Sequence, residues 1–75
     1  MDKKLKHILS VVFNEDIKNI NENSSSDTIL NWDSIRHLNL ILTLENEFNI
    51  SIPDEEVGNL MNFKLIKLII SDLIK

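Results

Sequence analysis

At 75 residues the chain is expected to form one small domain, residues 1–75, near the lower size at which a single hydrophobic core holds a fold without staples. Its apolar share of 43% rests mostly on Ile and Leu, with one Trp, three Phe and no Tyr, enough for a core. A net charge of −4 argues against the basic surface that nucleic-acid binding needs and favours a partner with a basic patch. The absence of cysteine excludes a disulfide framework and a thiolate metal site, and a cytoplasmic setting is expected.

Stepping about 100° per residue from Leu5 collects Leu5, Ile8, Leu9, Val12 and Phe13 on one side and sets His7 and Ser10 opposite, which predicts an amphipathic first helix. Asp2 is expected to cap it and give it an acidic start, and Asn14 to stop it. The basic-then-apolar order at this end faintly imitates a signal peptide. Its apolar stretches are very short, however, Asn14-Glu15-Asp16 follows at once, and no small-residue cleavage site appears. No segment approaches the ~20 apolar residues of a membrane-spanning helix.

Residues 14–32 hold many polar residues and the run Ser24-Ser25-Ser26, with Ile17, Ile20, Ile29, Leu30 and Trp32 recurring among them. A loop of this length is either functional or disordered, and the embedded apolar residues predict a packed, functional one. The serine run reads as flexible turn sequence in preference to a site of regulatory phosphorylation.

A second helix is predicted over roughly 33–48. Leu40, Ile41, Leu44 and Phe48 share one arc, and Ile35, Leu38 and Leu42 lie on an adjacent arc beside Ser34. One arc suffices for a core, so the other is either open to a partner or covered by another helix. Pro53, the acidic run Asp54-Glu55-Glu56 and Gly58 predict a short third helix. Asn62 then caps a fourth, with Phe63, Ile66, Ile69, Ile70, Leu73 and Ile74 on an apolar side and Lys64, Lys67, Ser71 and Lys75 on a solvated one. With no strand alternation, internal repeat or Gly-rich phosphate loop, the fold class is all-α. The expected architecture is a small four-helix bundle, three main helices plus the short third, with a long loop between the first and second.

The most informative residues are Trp32-Asp33-Ser34-Ile35, which set a hydroxyl at the mouth of an apolar helix directly after a carboxylate. Asp33 has a simpler reading as an N-cap. A self-activated Ser34 is disfavoured, because His37 would lie on the same helix and no orienting third group or oxyanion hole is evident. His7 and His37 lack further metal ligands at a recognisable spacing, and both are read as surface residues. Asp54, Glu55 and Glu56 read as first-turn residues favoured by the helix dipole. What a serine at a helix N-terminus suits is the attachment of a phosphodiester, since the local N–H groups and the positive end of the dipole stabilise phosphate. The reactive atom then belongs to the attached group, and the chain supplies a handle and a surface.

This layout resembles the acyl carrier protein family, over the whole chain and most specifically over residues 32–57. Leu44-Glu45-Asn46-Glu47-Phe48 is similar to the family's Leu-Glu-x-x-Phe pattern and Ile52-Pro53 to its Ile-Pro, and Asn62 stands at the usual start of the last helix. In that family a serine in an Asp-Ser-Leu or Asp-Ser-Ile motif receives 4′-phosphopantetheine from coenzyme A. The resemblance implies that Ser34 bears this group, that Asp33 precedes it, and that the chain is a stand-alone carrier and not an enzyme. It implies an acyl or aminoacyl thioester as cargo and a phosphopantetheinyl transferase as modifying partner. Acyl- or aminoacyl-activating and transferring enzymes would then read a surface of Trp32, Ile35, Arg36, Leu38 and Leu42, and a monomer is expected. The interior beneath Leu44 and Phe48 would either shelter a cargo chain or be filled by Ile and Leu. Trp32 departs from the small residue many fatty-acid carriers have before the motif, and Arg36, His37 and Asn39 stand where many show acidic or small polar residues. These departures imply changed partners and a specialised pathway. The alternative is an unmodified helical interaction module that docks through Ile35, Leu38 and Leu42.

Overall fold

Three stripes of Ile, Leu and Phe, spaced to share one side of a helix, meet in one core. The computed structural model describes residues 1–74. Among them the chain forms α1 (Asp2–Val12), a 3₁₀ turn at Ile17–Asn19, α2 (Ser34–Phe48), α3 (Asp54–Val57) and α4 (Phe63–Leu73). Pairing of the β type among these residues is confined to one isolated bridge, Ser25 with Asn62, so the all-α expectation holds. Leu5, Ile8 and Leu9 of α1, Leu40, Ile41 and Leu44 of α2, and Phe63, Ile66, Ile69 and Ile70 of α4 are buried together. Phe13, Ile20, Ile29, Ile52 and Leu60 complete the cluster from the connections. Each such side chain contributes about 1.5–3 kcal/mol by leaving water, so these stripes and not helix propensity hold the bundle.

The helix ends follow from their terminal residues. Asn14 is the stop predicted for α1: it adopts a left-handed φ of 52°, its N–H bonds to the Val11 carbonyl, and the Glu15 N–H reaches the Ser10 carbonyl at 2.9 Å. This is the paired C-terminal closure that a left-handed residue permits. Asn49 closes α2 with a φ of 54°. Asn62 caps α4 as expected, its side-chain oxygen accepting from the Leu65 N–H at 2.8 Å. Pro53 opens α3, where its missing N–H costs nothing.

Several expectations are corrected. Asp2 does not cap α1: it is the first helical residue, behind Met1, and its carboxylate is drawn instead to the Lys67 ammonium of α4 at 2.7 Å. Ser24-Ser25-Ser26 is not a loose turn. Ser24 is buried, its hydroxyl accepts from the Asn21 N–H at 2.9 Å, and its carbonyl accepts from Phe63 while Ser26 donates to the Met61 carbonyl. The run thus pins the long loop to the start of α4, satisfying backbone groups that burial would otherwise strand. Within that loop Ile20 and Ile29 are buried anchors, but Leu30 is 97% exposed and Ile17 is also exposed. In α4, Leu65 and Leu68 are exposed, as is Ile74 just beyond its end, because the apolar girth of this helix exceeds what the core can cover. Lys75, assigned to the solvated side of α4, lies outside the described residues.

Candidate functional site

The start of α2 is built by Asp33. Its backbone is extended (φ −108°, ψ 179°), and its carboxylate turns back to accept the Arg36 N–H at 2.8 Å, so the helix begins at the next residue. That residue is Ser34, exposed to solvent. The amides of Ser34 and Ile35, in the first turn, have no helical carbonyl four residues before them to donate to and face the same end as the positive pole of the helix dipole. An anionic group on the Ser34 oxygen would therefore be stabilised there by backbone alone.

Residues flanking Ser34 are tied down from three directions. Trp32 is half-buried, stacked on Phe13 with ring centroids 4.4 Å apart. The Asn31 amide donates to the Phe13 carbonyl at 2.8 Å, and the Arg36 guanidinium donates to the Val12 carbonyl at 2.9 Å. His37 corrects the sequence expectation of a surface histidine. It is half-buried, its Nδ1 accepts from the Trp32 indole N–H at 3.0 Å, and its Nε2 lies 2.8 Å from the Val57 carbonyl of α3. The signal in the sequence for this pair is a Trp and a His five residues apart across a helix start.

Beside Ser34 lies an open cleft of about 500 Å³, lined by Trp32, Asp33, Ser34, His37, Leu38 and Met61. Met61 comes from the α3–α4 connection, and sequence reasoning did not single it out. The arc left open by the sequence is exposed: Ile35 at 73%, Leu38 at 58% and Leu42 at 62%, a continuous apolar edge that starts at Ser34. Its first two turns carry no carboxylate. Of the two arcs on α2, Leu40, Ile41 and Leu44 face the core, and Phe48 is half-buried with the Lys4 ammonium 4.9 Å from its ring centroid. Glu45 has a structural task that its place in the Leu-Glu-x-x-Phe stretch did not reveal: its carboxylate accepts the Ile52 N–H at 2.8 Å and ties Ile52-Pro53 to the end of α2.

Among the described residues no cluster of three or more His, Asp or Glu is placed to hold a metal ion. None of their helices is long and apolar enough to cross a membrane. No protein-family model matches the chain. An acyl carrier protein from Buchnera aphidicola subsp. Schizaphis graminum (strain Sg) is 37% identical to it over 60 residues, covering 80% of this chain and 76% of the relative. The chain belongs to the acyl carrier protein family. The solution NMR structure of holo acyl carrier protein from Geobacter metallireducens shares the fold with a TM-score of 0.85 at 27% identity, over 97% of this chain and 84% of that one. Acyl carrier proteins are carriers and not enzymes, and they work with biosynthetic enzymes. The resemblance in sequence thus agrees with family membership.

Proposed function

We propose that this chain is a carrier domain that bears 4′-phosphopantetheine on Ser34 and presents an acyl or aminoacyl thioester to partner enzymes. The observation that carries this reading is the exposed Ser34 hydroxyl at the first turn of α2, directly after the capping Asp33 and at the mouth of an open cleft. The residues present fit the group. The Ser34 and Ile35 amides would meet the phosphodiester, and the cleft walls of Trp32, Leu38 and Met61 would lie along the arm. When bound, the group supplies the thiol that this cysteine-free chain lacks. Coenzyme A is its source and a phosphopantetheinyl transferase its donor enzyme.

Ile35, Leu38 and Leu42 form the edge that activating and transferring enzymes would read, with Trp32 and Arg36 beside it. Because α2 carries no acidic residue before Glu45, we place the chain with partners other than those of many fatty-acid carriers, in a dedicated biosynthetic pathway. A cytoplasmic, monomeric carrier is the corresponding setting.

Intact-protein mass spectrometry after incubation with coenzyme A, Mg²⁺ and a broad-specificity transferase tests the assignment. One phosphopantetheine is expected on the wild type and none on Ser34→Ala, which stays folded. A folded wild type that several such transferases leave unmodified would favour an unmodified docking module instead.

A further inference from the structure

The Trp32 and His37 side chains form a relay with one permitted protonation state. The indole N–H of Trp32 is a donor only, 3.0 Å from His37 Nδ1. The Val57 carbonyl is an acceptor only, 2.8 Å from His37 Nε2. Both bonds coexist in a single form of the ring, neutral with its hydrogen on Nε2. A proton added at Nδ1 sets two N–H groups against each other and breaks the Trp32 bond, while the Val57 bond survives. The relay joins the segment before Ser34, the first turn of α2 and the end of α3, and both rings line the cleft beside Ser34.

We propose that His37 is a positioning residue for the Ser34 turn: in its neutral form it holds Trp32 at the start of α2 and keeps the cleft shaped, and on protonation it releases Trp32. The consequence for phosphopantetheine transfer rests on the reading of Ser34 as the attachment point. The charged groups on the packed elements are Asp33 and Arg36 around the start of α2 and Asp54, Glu55 and Glu56 on α3. The Asp33 carboxylate bonds to the Arg36 N–H and the Arg36 guanidinium to the Val12 carbonyl. The bonds to the His37 ring are those from Trp32 and to Val57, so these two groups read its charge.

Trp32 is the one tryptophan in the chain, so intrinsic fluorescence reports the relay directly. The experiment follows wild type, His37→Asn, His37→Ala, Trp32→Phe and the control His7→Ala from about pH 8 to pH 5. Asn keeps an acceptor near the place of Nδ1 but does not titrate; Phe keeps the ring contact with Phe13 and removes the donor. Emission is read in parallel with transferase kcat/KM, each rate taken as a ratio to His37→Asn at the same pH so that the transferase's own pH profile cancels. A fluorescence transition is expected in wild type and His7→Ala and not in the His37 variants. Over the same transition the wild-type rate ratio should fall about fivefold, the size of one net hydrogen bond, and Trp32→Phe should be slow at every pH. A wild-type emission independent of pH, or a transition that persists in folded His37→Asn, overturns the proposal. A wild type that is never modified overturns the attachment reading alone, and fluorescence still decides the relay.

Discussion

Asp33→Ala removes the acceptor of the Arg36 N–H, a 2.8 Å bond, and takes a negative charge from the positive end of α2. Loss of an Asp N-cap costs typically about 1 kcal/mol within a range of 0.5–2. The charge at a solvent-exposed helix start adds about 0.3–1 kcal/mol at low salt. Since one kcal/mol moves the Tm of a domain this size by about 4–8 °C, the Ala variant should melt roughly 5–15 °C below wild type. Asp33→Asn keeps an oxygen in capping position and gives up only the charge, so its loss should stay near 0.3–1 kcal/mol and shrink in high salt. Thermal melts followed by far-UV circular dichroism, with and without salt, measure both. Equal losses for Ala and Asn, or an Ala variant as stable as wild type, would refute the capping account. The same two proteins then separate stability from recognition: if the transferase reads the carboxylate, both are modified slowly although only one is much destabilised.

Ser24→Ala strands the partly buried Asn21 N–H, which the Ser24 hydroxyl accepts at 2.9 Å. A cost of about 1–3 kcal/mol is expected in urea unfolding, with faster amide exchange at Asn21. Leu42→Ser, at a 62% exposed position, should change stability by less than about 0.5 kcal/mol while slowing transfer to partner enzymes. Two residues on, Leu44→Ala at a fully buried position should cost about 2–5 kcal/mol in the same urea assay. The Asp2 carboxyl is held below its ordinary range, first by the hydrogen bond from Lys67, with desolvation opposing. A carboxyl depressed in the folded state stabilises above its unfolded value and loses that contribution as pH falls through the folded one. An NMR titration should therefore place the Asp2 midpoint below that of an ordinary Asp side chain, and Lys67→Gln should bring it back up.

Helix positions and the core were legible wherever one periodicity decided them. Leu5, Ile8 and Leu9, or Phe63, Ile66, Ile69 and Ile70, are buried as their spacing requires. The caps at Asp33 and Asn62 were legible because each acts within three residues of itself. Illegible were the interactions that depend on a distant segment. Asp2 leaves its capping role for Lys67, Ser24 is drawn inward by the start of α4, and His37 is claimed by Trp32 on one side and Val57 on the other. At the candidate site the motif residues stood out, whereas the cleft wall at Met61 exists only once the α3–α4 connection folds back. Leu30 is the opposite case, an apolar loop residue expected to pack that the turn leaves in solvent.

The Arg36 and Asn31 bonds to the Val12 and Phe13 carbonyls bear on the order of folding. The last turn of α1 contains no basic residue of its own, and the groups that complete it arrive from 18 and 24 positions further along the chain. Asn14 and Glu15 satisfy the Val11 and Ser10 carbonyls locally, whereas the Val12 and Phe13 carbonyls meet the Arg36 and Asn31 side chains only once the intervening loop has closed, an entropic step that sequence-local helix formation does not face. The same closure seats Trp32 on Phe13 and so sets the turn that carries Ser34. Order at the Ser34 turn thus depends on closure of the loop before it and not on α2 alone.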